Sequence, residues 1–214
     1  GKVAIIGLFI INLLEWGRGL ESGNSSLKIT FLDVGHGDAI FIEFPHSGNM
    51  LIDGGEGGDN DQGRWVISPF LWDRGITRID VIVLTHPHSD HVGGLATVMK
   101  NFKVRYVLDN RMPLDSAIYQ GYNDTIKKRR LNQIKVNEGE EIIGYRDVKA
   151  YLLHPPHKFL TGTENYENDN SVVVKIIYKG MSVLLCGDVE RYGMRRLLQY
   201  DDGLLRSTIL KVPH

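Results

Sequence analysis

A chain of 214 residues, 42% hydrophobic and 24% charged, is long enough for one domain with a substantial core, or a domain and an appendage, and is not a disordered polyelectrolyte. Lys and Arg (25) nearly balance Asp and Glu (26), leaving a formal net charge of -1. No whole-molecule field therefore draws in nucleic acid, and such a partner has to be held by a local patch or by metal ions. The single cysteine, Cys186, excludes an internal disulfide framework and a cysteine-rich zinc module.

The chain opens on Gly1 and an apolar run, VAIIGLFIINLLEW (Val3 to Trp16), followed by the linker GRGLESGNSS. As it stands the run falls short of the about 20 residues that span a bilayer. It is read as the end of a longer membrane helix, with Trp16 and Arg18 near the interface. The alternative is an apolar helix packed on the domain; the Gly/Ser-rich stretch that follows has the composition of a tether and favours the membrane reading. Residues 1–26 are thus set apart as apolar segment and linker, and residues 27–214 as the folded domain, cut short at its C-terminus.

From Leu27 short strands alternate with helices. LKITFLDV, AIFIEFP and MLIDGG read as strands, with a turn at HSGN; RWVISPFLWDRG reads as a helix interrupted at Pro69. IDVIVLT is apolar nearly throughout and is expected to be buried on both faces. VGGLATVMKNF is helical, VRYVLD a strand, and LDSAIYQGYNDTIKKRRLNQI one longer helix. The second half continues the alternation, with strand VKAYLLHP, a hairpin SVVVKIIYKGMSVLLCGD turning at Lys179-Gly180, a helix around ERYGMRRLLQY and a strand STILKVPH. Two successive halves of sheet plus helix predict an α/β (α+β) fold with two mixed sheets packed face to face and helices outside.

The chemistry concentrates in LTHPHSDHVGGL, residues 84–95, between the apolar strand and a helix, where α/β proteins commonly place their sites. His86 and His88, two apart in an extended turn, can chelate one ion through imidazole nitrogens, and Asp90 and His91 can hold a second. Imidazole and carboxylate together suit Zn²⁺ or Mn²⁺ better than Ca²⁺. A lone histidine is usually structural; four ligand-type residues in the order H-x-H-x-D-H are not accounted for in that way.

This loop resembles the hallmark of the metallo-β-lactamase superfamily, whose fold is a four-layer αββα sandwich. More narrowly, FLDVGHGDAIFIEFP, LIDGG, SPFLWDRGITRIDVIVLTHPHSDHVGGL, NDNSVVVKI, LLCGDVE and LKVPH are similar, in order, to motifs of the hydrolase domain of ComEC-type competence DNA-uptake proteins. The resemblance runs from about Leu27 to His214 and implies two divalent ions, Zn or Mn with Mg possible. It assigns His86 and His88 to one ion, Asp90 and His91 to the other, and Asp188 in LLCGD to a bridge between them. A carboxylate there offsets part of the repulsion between two cations. His214 matches the start of a terminal family element, so either it or the residue after it is the matching ligand. In that family the domain is joined to a multi-helix membrane pore, in agreement with the apolar start.

One departure concerns the further histidine that many superfamily members carry before the bridging carboxylate. Here the segment reads ENDNS, with Asn170 nearest the place, and an amide oxygen is a weaker, uncharged ligand. ComEC-type chains share that pattern. His154 and His157 in LLHPPH are read as structural, because the diproline makes a rigid loop and the resemblance gives them no ligand role. Asp53 in LIDGG and Asp38 in GHGDA are placed behind the ligand histidines as hydrogen-bond partners, or as turn formers. His36 and the run Lys127 to Arg130 are read as solvated surface, and Cys186 as a small buried residue.

Two such ions lower the pKa of a water they share and clamp the oxygens of a reacting group, which implies hydrolysis. The ComEC resemblance implies DNA as the substrate, cleaved as a phosphodiester, with the parent protein in the bacterial membrane and this domain outside the bilayer. Two alternatives stay open: a free-standing or cell-wall phosphoester hydrolase, and a non-catalytic domain lining a DNA channel. Fold likeness does not choose among them.

Overall fold

The computed structural model of the chain describes residues 10–11, 26–46, 48–200 and 202–213. They divide into two units, one formed by Lys28–Glu43 and Gly48–Lys135, the other by the chain from Val136 onward with Phe44 and the short N-terminal strand β1 (Ile10–Ile11). Each unit is built on one six-stranded mixed sheet, the α/β composition the sequence predicts.

In the first unit β2 (Lys28–Phe31), β3 (Ile40–Glu43) and β4 (Asn49–Ile52) form an antiparallel meander. Then β5 (Arg78–Val83), β6 (Lys103–Asp109) and β7 (Asn132–Lys135) add in parallel, in sequence order. Phe41, Leu51, Ile82 and Val107 stand in register across four strands, all essentially inaccessible to water. They share one apolar cluster with Ile67 and Leu71, with Leu95 and Val98, and with Tyr122 and Ile126. Those pairs come from the segment before β5, from α3 (Leu95–Asn101) and from α4 (Ala117–Arg129). Each such side chain contributes about 1.5–3 kcal/mol on burial, so this layer holds the ends of β4, β5 and β6 in place. Val81 and Val83 are also buried, as expected for a strand without polar alternation.

The helix expected to be interrupted at Pro69 changes type there: a π-helix over Gly63–Ile67 gives way to α1 (Ser68–Asp73), with Pro69 in its first turn. A second expectation needs correction. The segment 114–134 is not one helix. Ser116 caps α4 by accepting the Tyr119 N–H, and Arg130 ends it in the left-handed region at φ 52, after which the chain becomes β7. Lys127 to Arg130 are exposed around that last turn, and Arg129 donates to the Lys100 carbonyl.

In the second unit β8 (Glu140–Ile142) has no expectation behind it, whereas β9 (Val148–His154), β10 (Val173–Tyr178), β11 (Met181–Leu185) and β12 (Ile209–Lys211) fall within expected strands. They line up in sequence order behind β1, which pairs in parallel with β8. The hairpin turns at Lys179-Gly180 with φ 47 and 79, the positive pair of a tight turn whose twist matches the strands. Cys186 lies in an apolar cluster with Leu153, Val173, Leu184 and Val189, closed by Leu197 of α5 (Arg191–Leu197). Burial pushes its thiol up to about 11, which leaves it protonated and inert. Lys175, on β10, is buried and donates to the Leu204 and Arg206 carbonyls, satisfying the end of α6 (Asp202–Leu205).

Beyond β1, the apolar run and linker expected as a membrane segment and tether lie, apart from Ser26, outside the described residues, and so does His214. Among the described residues no helix is long and apolar enough to cross a membrane.

His154 is a core residue, as the sequence reading has it. Its ring is inaccessible and its Nδ1–H donates to the Ser171 carbonyl at 2.8 Å. Burial pulls its pKa down to about 4 from 6.5. The unfolded chain therefore takes up a proton that the native chain refuses between those values. Stability should be fully present above pH about 6.5 and fall, by up to about 3 kcal/mol from this group, as pH drops toward about 4. Urea unfolding at pH 7 and pH 4.5 checks this: His154→Gln should lose part of that difference, and an unchanged difference would remove His154 as its source.

Candidate metal centre

Parallel strands β4 and β5 end side by side, and the site grows from those ends. Asp53 follows β4 with φ 58, an unusual conformation for a residue with a side chain, and its N–H bonds the Val83 carbonyl at 2.9 Å. Its carboxylate is wholly buried and accepts three bonds: the Thr85 N–H on Oδ1 at 2.8 Å, the Thr85 hydroxyl on Oδ2 at 2.7 Å, and His91 Nδ1 on Oδ2 at 2.9 Å. The same Thr85 oxygen lies 3.0 Å from His86 Nδ1.

Proton positions follow from this chain of contacts. An ionised Asp53 only accepts, so Thr85 gives it its one hydroxyl proton and in turn accepts from His86 Nδ1–H. His91 Nδ1 likewise carries a proton, donated to Asp53. Both rings therefore turn Nε2, with its lone pair, away from the carboxylate, the tautomer a metal ligand needs. Burial raises the Asp53 carboxyl above its ordinary value; the neighbouring His91 ring and its hydrogen bond pull it back, Asp38 raises it, and the Thr85 N–H lowers it.

The ligand-type residues gather around these rings. His86 lies 4.7 Å from His88 and 4.2 Å from His91, ring centre to ring centre. His88 caps α2 (Ser89–Val92), a single turn that carries Asp90 and His91, and Asp90 Oδ2 lies 3.7 Å from His91 Nε2. Asp38 Oδ2 is 4.0 Å from His91 Nδ1, and Asp38, Asp53 and His91 offer ligand atoms within 4.8 Å of one another. The donor set, three imidazoles and mixed carboxylates partly shielded from water, fits a divalent transition ion. His36, read as surface, is indeed exposed, yet its Nε2 reaches to 3.4 Å from Asp90 Oδ2. Thr85 has no expectation behind it; its place directly between the apolar strand and His86 is the signal.

Glycines let the backbone close on this turn. A Cβ on Gly94 would lie 2.3 Å from the Gly54 carbonyl oxygen and 2.4 Å from the Gly63 nitrogen, so the loop after Asp53 packs main chain against main chain on the start of α3. Gly94→Val should lower stability by several kcal/mol, about 3 or more, and loosen the histidine turn with it. Denaturant melts check this, and a loss under about 0.5 kcal/mol would show that the loop yields easily.

The remaining residues lie in the second unit. Asp188 follows β11 after Gly187, which has φ 53, and is buried, with Lys211 Nζ 3.6 Å from its Oδ1. Asn170, expected as a weak ligand or as a partner behind the ligands, lies in the turn Asn168–Asn170; its amide nitrogen donates to the Leu160 and Tyr166 carbonyls and its oxygen accepts the Leu160 N–H. The amide thus clamps a loop, which fixes where its oxygen points. His157 is exposed, in the loop after β9.

Comparison with known proteins agrees with this architecture. The family model described as the metallo-beta-lactamase superfamily matches residues 32–211. ComE operon protein 3 of Bacillus subtilis is 26% identical over 212 residues, covering 89% of this chain and 26% of that protein. Competence protein ComA of Neisseria gonorrhoeae is 26% identical over 187 residues, 87% of this chain and 23% of that protein. The chain thus spans about a quarter of the length of these relatives. A Thermotoga maritima protein described as a metallo-beta-lactamase superposes with a TM-score of 0.56 at 16% identity, covering 88% of this chain and 96% of that one. A Cronobacter sakazakii metallo-beta-lactamase with a HARLDQ motif gives 0.57 at 13% identity, over 87% and 74%. With two mixed sheets, the buried histidine turn and a family match over most of its length, the chain belongs to the metallo-beta-lactamase superfamily.

Proposed function

We propose that this domain is a metal-dependent phosphodiesterase acting on DNA, as part of a ComEC-type uptake protein. The observation that carries the metal reading is the bonded series His91, Asp53, Thr85, His86, which sets both rings in the ligand tautomer. His86 and His88 would hold one divalent ion, Asp90 and His91 a second, with Asp188 shared and His214 or its neighbour completing the set; Zn²⁺ and Mn²⁺ suit these donors, and Mg²⁺ is a further candidate. When bound, the ions supply an acidified water and neutralise charge on the group attacked. The protein holds Asp90 close to His91, shields the His86 and His91 rings from water, and fixes their protons through Asp53 and Thr85. DNA as substrate rests on the two similar competence proteins and on the suitability of a cationic centre for a phosphodiester in a chain of net charge -1. Attachment to the bacterial membrane rests on the apolar run before the linker.

The test is cleavage of single- and double-stranded DNA by Mn²⁺- or Zn²⁺-loaded protein, at two salt concentrations because phosphate contacts are salt-sensitive. Cleavage of a small phosphodiester but of neither DNA would replace the nuclease by a phosphoester hydrolase. Elemental analysis showing no ion after reconstitution would leave only the channel-lining role. His157→Ala should keep the parent rate, within about twofold, as expected of an exposed residue outside the ligand set; a loss like that of a ligand variant would redraw the metal map.

A further inference from the structure

Among the described residues β12 is the last strand of its sheet, and its lysine is better shielded from water than its two neighbouring apolar residues. Ile209 and Leu210 are 48% and 55% exposed, while the Lys211 side chain is only 12% exposed. Edge strands normally turn their lysines to water and their apolar residues inward, and a lysine that gives up its hydration needs compensation. Lys211 pairs with Leu185 across the parallel β11–β12 ladder. From there its ammonium reaches the turn that follows β11, donating to the Gly187 carbonyl at 3.3 Å and lying 3.6 Å from Asp188 Oδ1.

We infer that Lys211 is an anion-binding residue of the hydrolytic centre, held beside Asp188 to meet a phosphate oxygen of the substrate. The inference rests on the reading of Asp188 as the shared ligand. Given that reading, the Asp188 carboxylate has to serve both the ions and Lys211, and one carboxylate does not offset them all. The two carboxylates assigned to the ions, Asp90 and Asp188, leave a pair of divalent cations net positive, and one more buried cation is repelled unless an anion joins them. A phosphate group is such an anion. Lysine suits the task as a point charge on a flexible stem, and the Gly187 carbonyl fixes where that stem ends. The site would therefore favour anionic esters over neutral ones more strongly than the ions alone do.

The experiment is calorimetric titration of the Mn²⁺-loaded protein with inorganic phosphate at low salt, with Mn²⁺ content measured in parallel. In Lys211→Met phosphate should bind about tenfold more weakly with Mn²⁺ content unchanged, while Lys211→Arg keeps most of the affinity. With a small phosphodiester substrate, Lys211→Met should raise KM more than it lowers kcat. Phosphate affinity that ignores Lys211, or a loss of Mn²⁺ in Lys211→Met as large as in Asp188→Ala, overturns the inference while the metal reading stands; the second result would make Lys211 a support for Asp188 only. Parent protein that takes up no Mn²⁺ removes the metal reading and this inference together.

Discussion

Replacing Asp188 by Asn should lower the hydrolytic rate by about 100-fold or more while leaving the fold in place. The substitution keeps the volume at a buried position beyond the end of β11, so packing against the turn is preserved. What disappears is a negative charge. Without it two cations would face each other with less between them, and Lys211 at 3.6 Å would lose its counter-charge and add to the repulsion. Ion content should fall along with the rate, and denaturant melts should move far less than either. Near-parent activity with full ion content would show that Asp188 is not shared between ions. A rate that falls only because the variant unfolds would appear in the melts and would say nothing for the ligand role.

The parts of the site that can be read from sequence are those whose chemistry is local. The H-x-H-x-D-H order sits in one turn, so adjacency in sequence is adjacency in space, and the apolar IDVIVLT strand before it announces a buried strand end. Asp53 can be named because a carboxylate followed by two glycines at a strand end is a marked position, but its three hydrogen bonds depend on β4 lying parallel to β5, a register that no local pattern declares. Thr85 escapes for the same reason: its hydroxyl acts across strands. The loop clamp made by Asn170 is not legible, because its amide is engaged ten residues upstream by Leu160, a partner that no local pattern announces. The end of α4 is invisible because Lys, Arg and Leu all favour helix, and only the left-handed Arg130 and the open edge beside β6 turn the chain into β7. The shielding of Lys211 is equally hidden, since it depends on the turn that follows β11 and not on any pattern within STILKVPH.

Because Asp53 sets the tautomer of both rings, Asp53→Asn should damage the metal centre far more than its size suggests. Thr85 N–H donates to Oδ1, so the amide oxygen of an asparagine is held in that position and its NH₂ takes the place of Oδ2. That nitrogen then donates where Oδ2 accepted. Facing it, His91 Nδ1 becomes an acceptor and the His91 proton moves to Nε2. Thr85 Oγ1 also accepts from the amide, turns its own proton toward His86 Nδ1, and drives the second ring to the same wrong tautomer. Both nitrogens that should face the ions would carry protons instead of lone pairs. Mn²⁺ affinity should fall by about 10- to 100-fold or more, and nitrogen chemical shifts of the histidine rings should report the exchange of Nδ1–H for Nε2–H. Asp53→Ala should behave differently. It leaves three buried donors without an acceptor and should cost about 3 kcal/mol or more of stability, yet it forces neither ring into the other tautomer. An Asp53→Asn protein with parent Mn²⁺ affinity and unshifted ring nitrogens would show that the proton positions are set elsewhere.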